Sequence, residues 1–345
     1  MRIRAAAAIR SGWPGSTEET MTDLSRRHAL ALAGGSLLLP TAVRAQAAWP
    51  AQPVTFVVGY AAGGGADIVA RELAHLMTPL LGQQVLVDNK GGAAGAIGAR
   101  FVSNAKPDGY TLFYAVGTNV VTNPHVLKSS IDTLKGLVPI IQTTDYQYVL
   151  AVNPSVPVNN VKELIALAKK EPGKLTFSSS GVGGNNHLAG ALFAETTGID
   201  ITHAPYKGTG PALMDVISGI ITMNFSSLPP AVGQIKSGKL KALAVTGEKR
   251  VSSLPDVPTL KEQGVDLAVT GWHGLFAPPK TPDAVLDRVH KETAIAMKDS
   301  KYTGALAKDG LELPPERSRA DFTKFVVDEH TFWGKKLKAL NVQME

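Results

Sequence analysis

The chain has 345 residues, 44% of them apolar, no cysteine, and a formal charge of +6. The missing cysteines exclude disulfides, thiolate metal sites and a cysteine nucleophile. Six arginines and three acids fall in the first 47 residues, so the other 298 carry 29 basic against 26 acidic side chains, enough chain for one large or two ordinary domains but without the clustered basic face that a nucleic acid requires.

Near the N-terminus, Ser25-Arg26-Arg27-His28-Ala29-Leu30 is a twin-arginine pattern, followed by a modestly apolar run from Ala29 to Val43. Small residues then offer cleavage after Ala45 or Ala47. The apolar run is too short to span a bilayer, so residues 1–47 read as a leader with an export signal, and Met21 is an alternative start. No other stretch is long and apolar enough for a membrane span. A cysteine-free protein in an oxidising periplasm relies on a large core.

After the leader, a β-branched run at 54–58 ends in Gly59 and the cluster Gly63-Gly64-Gly65. Ile68, Val69, Leu73, Leu76 and Met77 then recur at helical spacing. A strand, a tight turn and an amphipathic helix follow from that pattern. Such a turn points bare N–H groups and the positive end of the helix dipole at one spot, an anion site. Val85–Asn89 is a second strand, running into Gly91–Gly98 and a small-residue helix through Val102. A third strand, Tyr110–Ala115, ends at Gly117-Thr118-Asn119. Serial strand–turn–helix units predict a parallel α/β sheet.

The character changes around Tyr148–Pro154, and the pattern restarts. A helix is predicted at 161–170, a strand at Lys174–Ser178, then the loop Ser179–His187 and a helix through Thr196. Strand Ile201–Tyr206 leads into Lys207-Gly208-Thr209-Gly210-Pro211, with Thr209 as N-cap of helix 211–218. Strands follow at Ile221–Phe225, Leu240–Thr246 and Val269–Pro278. Helices are predicted at Pro282–Lys298 and Pro315–Leu340. The expected fold is two α/β lobes, residues 48–151 with 270–345 and residues 152–269, joined by two crossings with a ligand cleft between them at the C-terminal ends of the strands.

Catalytic readings fit poorly. Asp88 lies about 20 residues beyond the first glycine loop, as in dinucleotide folds, but Gly59-x-Ala61-x-x-Gly64 misses the second glycine of that fingerprint. No lysine follows the glycines as in a Walker-type loop. Ser178, Ser179 and Ser180 lack the Gly-x-Ser-x-Gly elbow of a serine hydrolase. The histidines are scattered without a His-x-x-x-His pair, so no metal or other cofactor is expected. An exported oxidoreductase or hydrolase acting on a small organic acid is the alternative reading. Trp272 and His273 sit near the second crossing, and His187 begins a helix beside a polar glycine loop; each reads either as structure or as ligand contact.

Seven phrases, in order from Gly63 to Pro278, carry a family likeness. They are Gly63-Gly-Gly-Ala-Asp-Ile-Val-Ala-Arg71, Pro107-Asp-Gly-Tyr-Thr-Leu112, Asn153-Pro-Ser155, Pro205-Tyr-Lys-Gly208, Gly238–Val245, Leu254-Pro-Asp-Val-Pro-Thr259 and Gly274-Leu-Phe-Ala-Pro278. With these the chain resembles the Bug-type solute receptors of tripartite tricarboxylate transport systems. The resemblance implies a monomeric two-lobed periplasmic binding protein, not an enzyme, that closes on a small carboxylate solute. Its partners would be membrane transporter subunits or a sensor kinase. It further implies that backbone groups and waters of the first lobe hold the carboxylate, at Tyr60, Ala61, Ala62, Gly63, Gly64, Thr118 and Asn119. From the second lobe it implies Ser180, Gly181, Asn185, His187, Tyr206, Asn224 and Phe225. Three positions depart from the family pattern. Ala61-Ala62 replaces a Pro-Pro pair, and Ala66 replaces a threonine, leaving Asp67 to cap the helix. Ser226 stands where an acid is common, which argues against a ligand ending in an ammonium group.

Overall fold

The computed structural model describes residues 49–339; the leader with its twin-arginine motif and cleavage positions, and Leu340, lie outside the described residues. The first run of elements is β1 (Val54–Val58), α1 (Gly65–Leu81), β2 (Val85–Asn89), α2 (Ala96–Ser103), β3 (Thr111–Val116) and α3 (Gly117–Val121). Then comes a long strand, β4 (Val138–Val152). The second run is α4 (Val161–Lys170), β5 (Thr176–Ser179), α5 (Asn185–Thr197), β6 (Thr202–Pro205), α6 (Thr209–Ile217), β7 (Met223–Ser227), α7 (Leu228–Lys236) and β8 (Lys241–Val245). The chain returns through β9 (Thr270–Ala277), α8 (Asp283–Met297), α9 (Ser300–Lys308) and α10 (Arg319–Ala339).

The strands form one continuous sheet in the order β2-β1-β3-β9-β4-β7-β5-β6, with β8 also on β4. β1 is parallel to β2 and β3, and β5 is parallel to β6 and β7, as the strand–helix alternation requires. Between these two parallel halves run the antiparallel pairings of β4 and β9. Residues 138–147 of β4 pair with β9, whereas Tyr148–Val152 pair with β7, and Val149–Val152 also with β8. One strand thus serves both lobes, and the fold is a two-lobed α/β architecture with helices on a shared curved sheet.

Spacing explains the helices that flank the cleft. In α1, Val69, Leu73, Met77 and Leu81 recur every fourth residue and are all buried, while Arg71 and Glu72 face out. Gly82 ends α1 in the left-handed region at φ 69°, its N–H on the Thr78 carbonyl at 3.1 Å. At the other end of the chain Trp272 packs edge-on against Phe322 at 5.7 Å and Phe325 at 5.6 Å. Trp272 is core, and its neighbour His273 points elsewhere.

The helices α3, α7 and α9 were not among the expected elements, and three further elements differ from expectation in their bounds or caps. The first ten residues of β4 carry no strand signal in the sequence. Pro139 and the polar run Gln142–Asp145 hide the alternation, and irregularities at Pro139/Ile141 and Gln142/Thr144 break the period-two pattern. The last helix starts at Arg319, not Pro315, because Ser318 caps it there: its Oγ accepts the Asp321 N–H at 3.1 Å and donates to the Asp321 carboxylate at 2.6 Å. Thr209 is the first helical residue and not the N-cap; Gly208 takes that position.

Candidate ligand-binding cleft

The two lobes present the same local device to each other. In the first, Gly63 has φ 80° and Gly64 is the N-cap of α1; in the second, Gly183 has φ 82° and Gly184 is the N-cap of α5. In each helix the third residue reaches back over the turn. Asp67 accepts the Gly63 N–H at 2.9 Å, and His187 Nδ1 accepts the Gly183 N–H at 3.1 Å. Neither helix has a side-chain cap on its own first N–H groups. Both ends therefore keep bare donors and a positive dipole end facing the cleft.

The reaching side chains are held in place from behind. Burial would raise the Asp67 carboxyl, but Arg71 at 2.8 Å, the Gly63 N–H and Asn89 hold it below the ordinary aspartate value. A backbone N–H must donate, so His187 carries its proton on Nε2. Its ring stacks on His203 at 3.8 Å, and His203 Nε2 meets Ser179 Oγ at 2.6 Å. Burial pushes both imidazoles down, His187 to about 3 and His203 to about 4, with His203 adding to the effect on His187. Both are neutral and serve as scaffold for the loop.

In the first lobe Tyr60, Asn119 and Asn123 converge on one backbone oxygen. Tyr60 Oη donates to the Ala94 carbonyl at 3.0 Å, Asn119 Nδ2 at 2.7 Å and Asn123 Nδ2 at 2.9 Å. Asn119 also donates to Tyr60 Oη at 2.8 Å and accepts the Val116 N–H at 2.9 Å. Burial pushes the Tyr60 phenol up to about 12 against the lowering effect of Asn119. These groups pin the turn at Ala93-Ala94, whose φ values of 47° and 48° need outside support.

Where the lobes meet, Ala61 N donates to the Lys207 carbonyl at 3.1 Å. Beneath this seam lies a cavity of about 30 Å³ lined by Tyr60, Gly64, Gly65, Ala66, Val116, Tyr146, Tyr148, Ser180, Asn185, Asn186, Thr209, Ser227 and His273. That volume holds a water or two. Four helix N-termini reach the cavity: α1 through Gly64–Ala66, α5 through Asn185-Asn186, α6 through Thr209 and α7 through Ser227. No side chain caps any of the four. The lining contains no lysine, arginine, aspartate or glutamate. Burial drives the His273 imidazole down to about 3 and both the Tyr146 and Tyr148 phenols up, so those groups are neutral as well. The lining thus carries no full charge; Asp67, in the first turn of α1, is paired with Arg71, and the N–H groups at the starts of α1 and α5 are the donors left at the cleft.

Of the residues expected from the sequence, the structure brings Tyr60, Gly64, Ser180 and Asn185 to this cavity. Ala61, Ala62, Gly63 and Gly181 lie along the lobe seam: a Cβ on Gly181 would stand 3.1 Å from Ala94 N, and one on Gly210 would stand 3.3 Å from the Ala62 carbonyl. Thr118 and Asn119 are buried in the layer below, and His187 faces His203. Tyr206 hydrogen-bonds Asp215, away from the cavity. Asn224 Nδ2 ties β7 to Ser178 at 2.8 Å, and Phe225 packs on Phe193 at 5.5 Å inside the second lobe. Sequence reasoning missed Asn186, Thr209, Ser227 and the tyrosines of β4. Ser227-Leu228-Pro229-Pro230 was readable as a helix start, and Gly183-Gly184 repeats the Gly63-Gly64 turn. A larger open groove of about 1100 Å³ runs along the outside of the first lobe by α1, β2 and α9, and touches none of the expected residues.

Fold and cleft together define a two-lobed binding protein of the periplasmic receptor class. Residues 69–342 match the tripartite tricarboxylate transporter family receptor, and the chain belongs to that family. It is similar to the "UPF0065 protein in gbd 5'region" of Cupriavidus necator, 37% identical over 298 residues, which is 84% of this chain and 90% of that one. Among solved structures it resembles the periplasmic binding protein BugD, with TM-score 0.83, 35% identity, and 86% and 100% of the two chains covered. An R. palustris protein solved with adipate gives TM-score 0.82 and 31% identity over 86% and 99%. The protein is thus a periplasmic transport receptor of the Bug type and not an enzyme.

Proposed function

We propose that this receptor captures a small carboxylate-bearing solute between its lobes, acting as a monomer, and presents it to membrane subunits of a tripartite tricarboxylate-type transporter or to a sensor kinase. One observation carries the reading: four helix N-termini without a side-chain cap, those of α1 and α5 with free N–H groups and those of α6 and α7 with prolines in the first turn, meet at a cavity lined by no charged side chain. Such a place favours an anion and gives a cation no partner. Adipate in the R. palustris relative is in keeping with it. Within this reading Tyr60, Ala61, Ala62, Gly63 and Gly64 with Thr118 and Asn119 form the first-lobe seat. Ser180, Gly181 and Asn185 contact ligand directly from the second lobe. His187, Tyr206, Asn224 and Phe225 hold that lobe's loops behind them. The lobes, 48–151 with 270–345 and 152–269, hinge where β4 changes partners and where the chain returns into β9. Export in folded form follows the twin-arginine route, so exchanging Arg26 and Arg27 for Lys strands the precursor in the cytoplasm.

Thermal-shift screening of purified mature protein tests the reading. A ligand at a hundredfold its Kd stabilises by about 2.7 kcal/mol, a rise in Tm of several degrees. Mono- and dicarboxylates raise Tm, and amines and neutral sugars do not. A panel in which only neutral or cationic compounds shift Tm, or native mass spectrometry that finds such a compound retained, overturns it.

A further inference from the structure

Asn186 and Ser227 hold buried hydrogen-bonding capacity that the protein does not use. Asn186 is 2% exposed, and its Oδ1 accepts both Ser180 N at 3.1 Å and Ser180 Oγ at 2.8 Å. Because Ser180 N can only donate, the amide orientation is fixed, and Nδ2 is the free end. That Nδ2 is buried at the cavity without a partner. Ser227, 8% exposed, is the N-cap of α7, but Pro229 and Pro230 leave it no N–H to cap, and its hydroxyl likewise has no partner. Beside them Tyr146 Oη takes the Tyr148 hydroxyl at 3.1 Å, which leaves its own proton unspent. Leaving buried polar groups unpaired costs about 1–3 kcal/mol each, a cost that a ligand rich in acceptors removes.

We infer that Asn186 and Ser227 are specificity-determining residues which donate to a second acceptor group of the ligand, so that the receptor selects di- or oxo-carboxylates and rejects amino acids. This rests on the carboxylate reading above and narrows it. The free groups on this wall are a primary amide N–H and hydroxyls, and no carboxylate among the lining residues could face an ammonium group. An ammonium placed here would be desolvated among donors, whereas a carboxylate or keto oxygen would satisfy them. Asn186 also lies in the first turn of α5, where the helix dipole adds to the preference.

The experiment is calorimetry with matched ligands of equal chain length: adipate, its monomethyl ester and 6-aminohexanoate, and succinate against aspartate. Wild-type protein binds each diacid about 10- to 100-fold more tightly than its amino counterpart. Asn186→Asp keeps an oxygen for Ser180 and turns the free donor into an anion, so it equalises or inverts that ratio. Ser227→Ala removes an unpaired hydroxyl, leaves the apo Tm unchanged or higher, and weakens the diacid alone. Should Asn186→Asp fail to fold, Ser227→Ala decides. Equal wild-type affinity for diacid and half-ester or amino acid overturns the selection while the carboxylate reading stands. Unchanged ratios in the folded variants also overturn it. Absence of binding by every carboxylate overturns both.

Discussion

Gly65→Ala separates binding from folding because the first turn of α1 touches the other lobe. A Cβ built on Gly65 would lie 2.7 Å from Ser227 Oγ and 3.0 Å from Ser227 Cβ. Ordinary carbon contacts begin near 3.5 Å. The hydroxyl could rotate away, but Ser227 Cβ is fixed to the backbone of α7, so the lobes must stay parted by several tenths of an ångström. Overpacking of this kind costs about 1–3 kcal/mol, which predicts a Kd about 5- to 150-fold weaker. Within the first lobe the change is mild: alanine is a better helix residue than glycine by up to about 1 kcal/mol, and Gly65 has an ordinary backbone conformation, unlike Gly63 with φ 80°. The Tm of the ligand-free protein is therefore unchanged or slightly raised. Calorimetry with the dicarboxylate that gives wild-type protein its largest thermal shift, set beside circular-dichroism melting, reads both quantities. Wild-type affinity in Gly65→Ala would refute the claim that ligand is held with α1 and α7 in contact.

Lys207 meets Ala61 through its backbone carbonyl, so Lys207→Ala changes affinity by less than tenfold, about 1.4 kcal/mol; a larger loss in calorimetry would put its ammonium in the site. Acidification destabilises the fold: His187, His203 and His273 are pushed down by burial to about 3, 4 and 3, so between the unfolded value near 6.5 and those values the unfolded chain binds protons that the native chain refuses. Asp145, raised to about 6 chiefly by burial, opposes part of this, since its native form gains a proton before the unfolded one does. Tm therefore falls as pH drops from 7 toward 4.5, and a flat profile would contradict the buried neutral imidazoles. Trp272→Ala removes an aromatic packed on Phe322 and Phe325 and costs about 3–5 kcal/mol in chemical denaturation; a loss below about 1 kcal/mol would place that ring outside the core.

Much of the fold was legible because its elements obey simple periods. β1 with its glycine turn and α1 could be read from five apolar spacings, and the same grammar recovered β5 through β8. The long crossing strand could not, since it changes partners at Gln147/Tyr148 and each half answers to a different sheet. Site residues divided along a similar line. The glycines and helix starts announce backbone that approaches a ligand, whereas the role of a side chain depends on where its hydrogen bonds are spent. Tyr60 and Asn119 are expected at the ligand from the sequence, and the structure shows in addition that both bond the Ala94 carbonyl, a bond no sequence pattern announces. Asn186 looks like a duplicate of Asn185, yet it is the one left with a buried free donor.

The arrangement also shows why charge, more than shape, couples binding to closure. The α1 end and the α7 end approach until Gly65 leaves no room for a Cβ beside Ser227, and both ends carry positive partial charge of about half an elementary unit. With α5 and α6 added, four like poles converge from two lobes on one small cavity. Their mutual repulsion in a water-poor pocket opposes closure, while the seam bond from Ala61 to Lys207 offers only one backbone hydrogen bond in return. A carboxylate between the poles reverses the sign of that balance, because it is attracted to each of them at once and to the lobes only when they are together. A ligand shifts a conformational equilibrium by no more than its differential affinity for the two states. Here that difference comes from the second lobe's poles, which an anion seated on the first lobe alone does not reach. A neutral isostere of the right shape would meet the same walls without that reward.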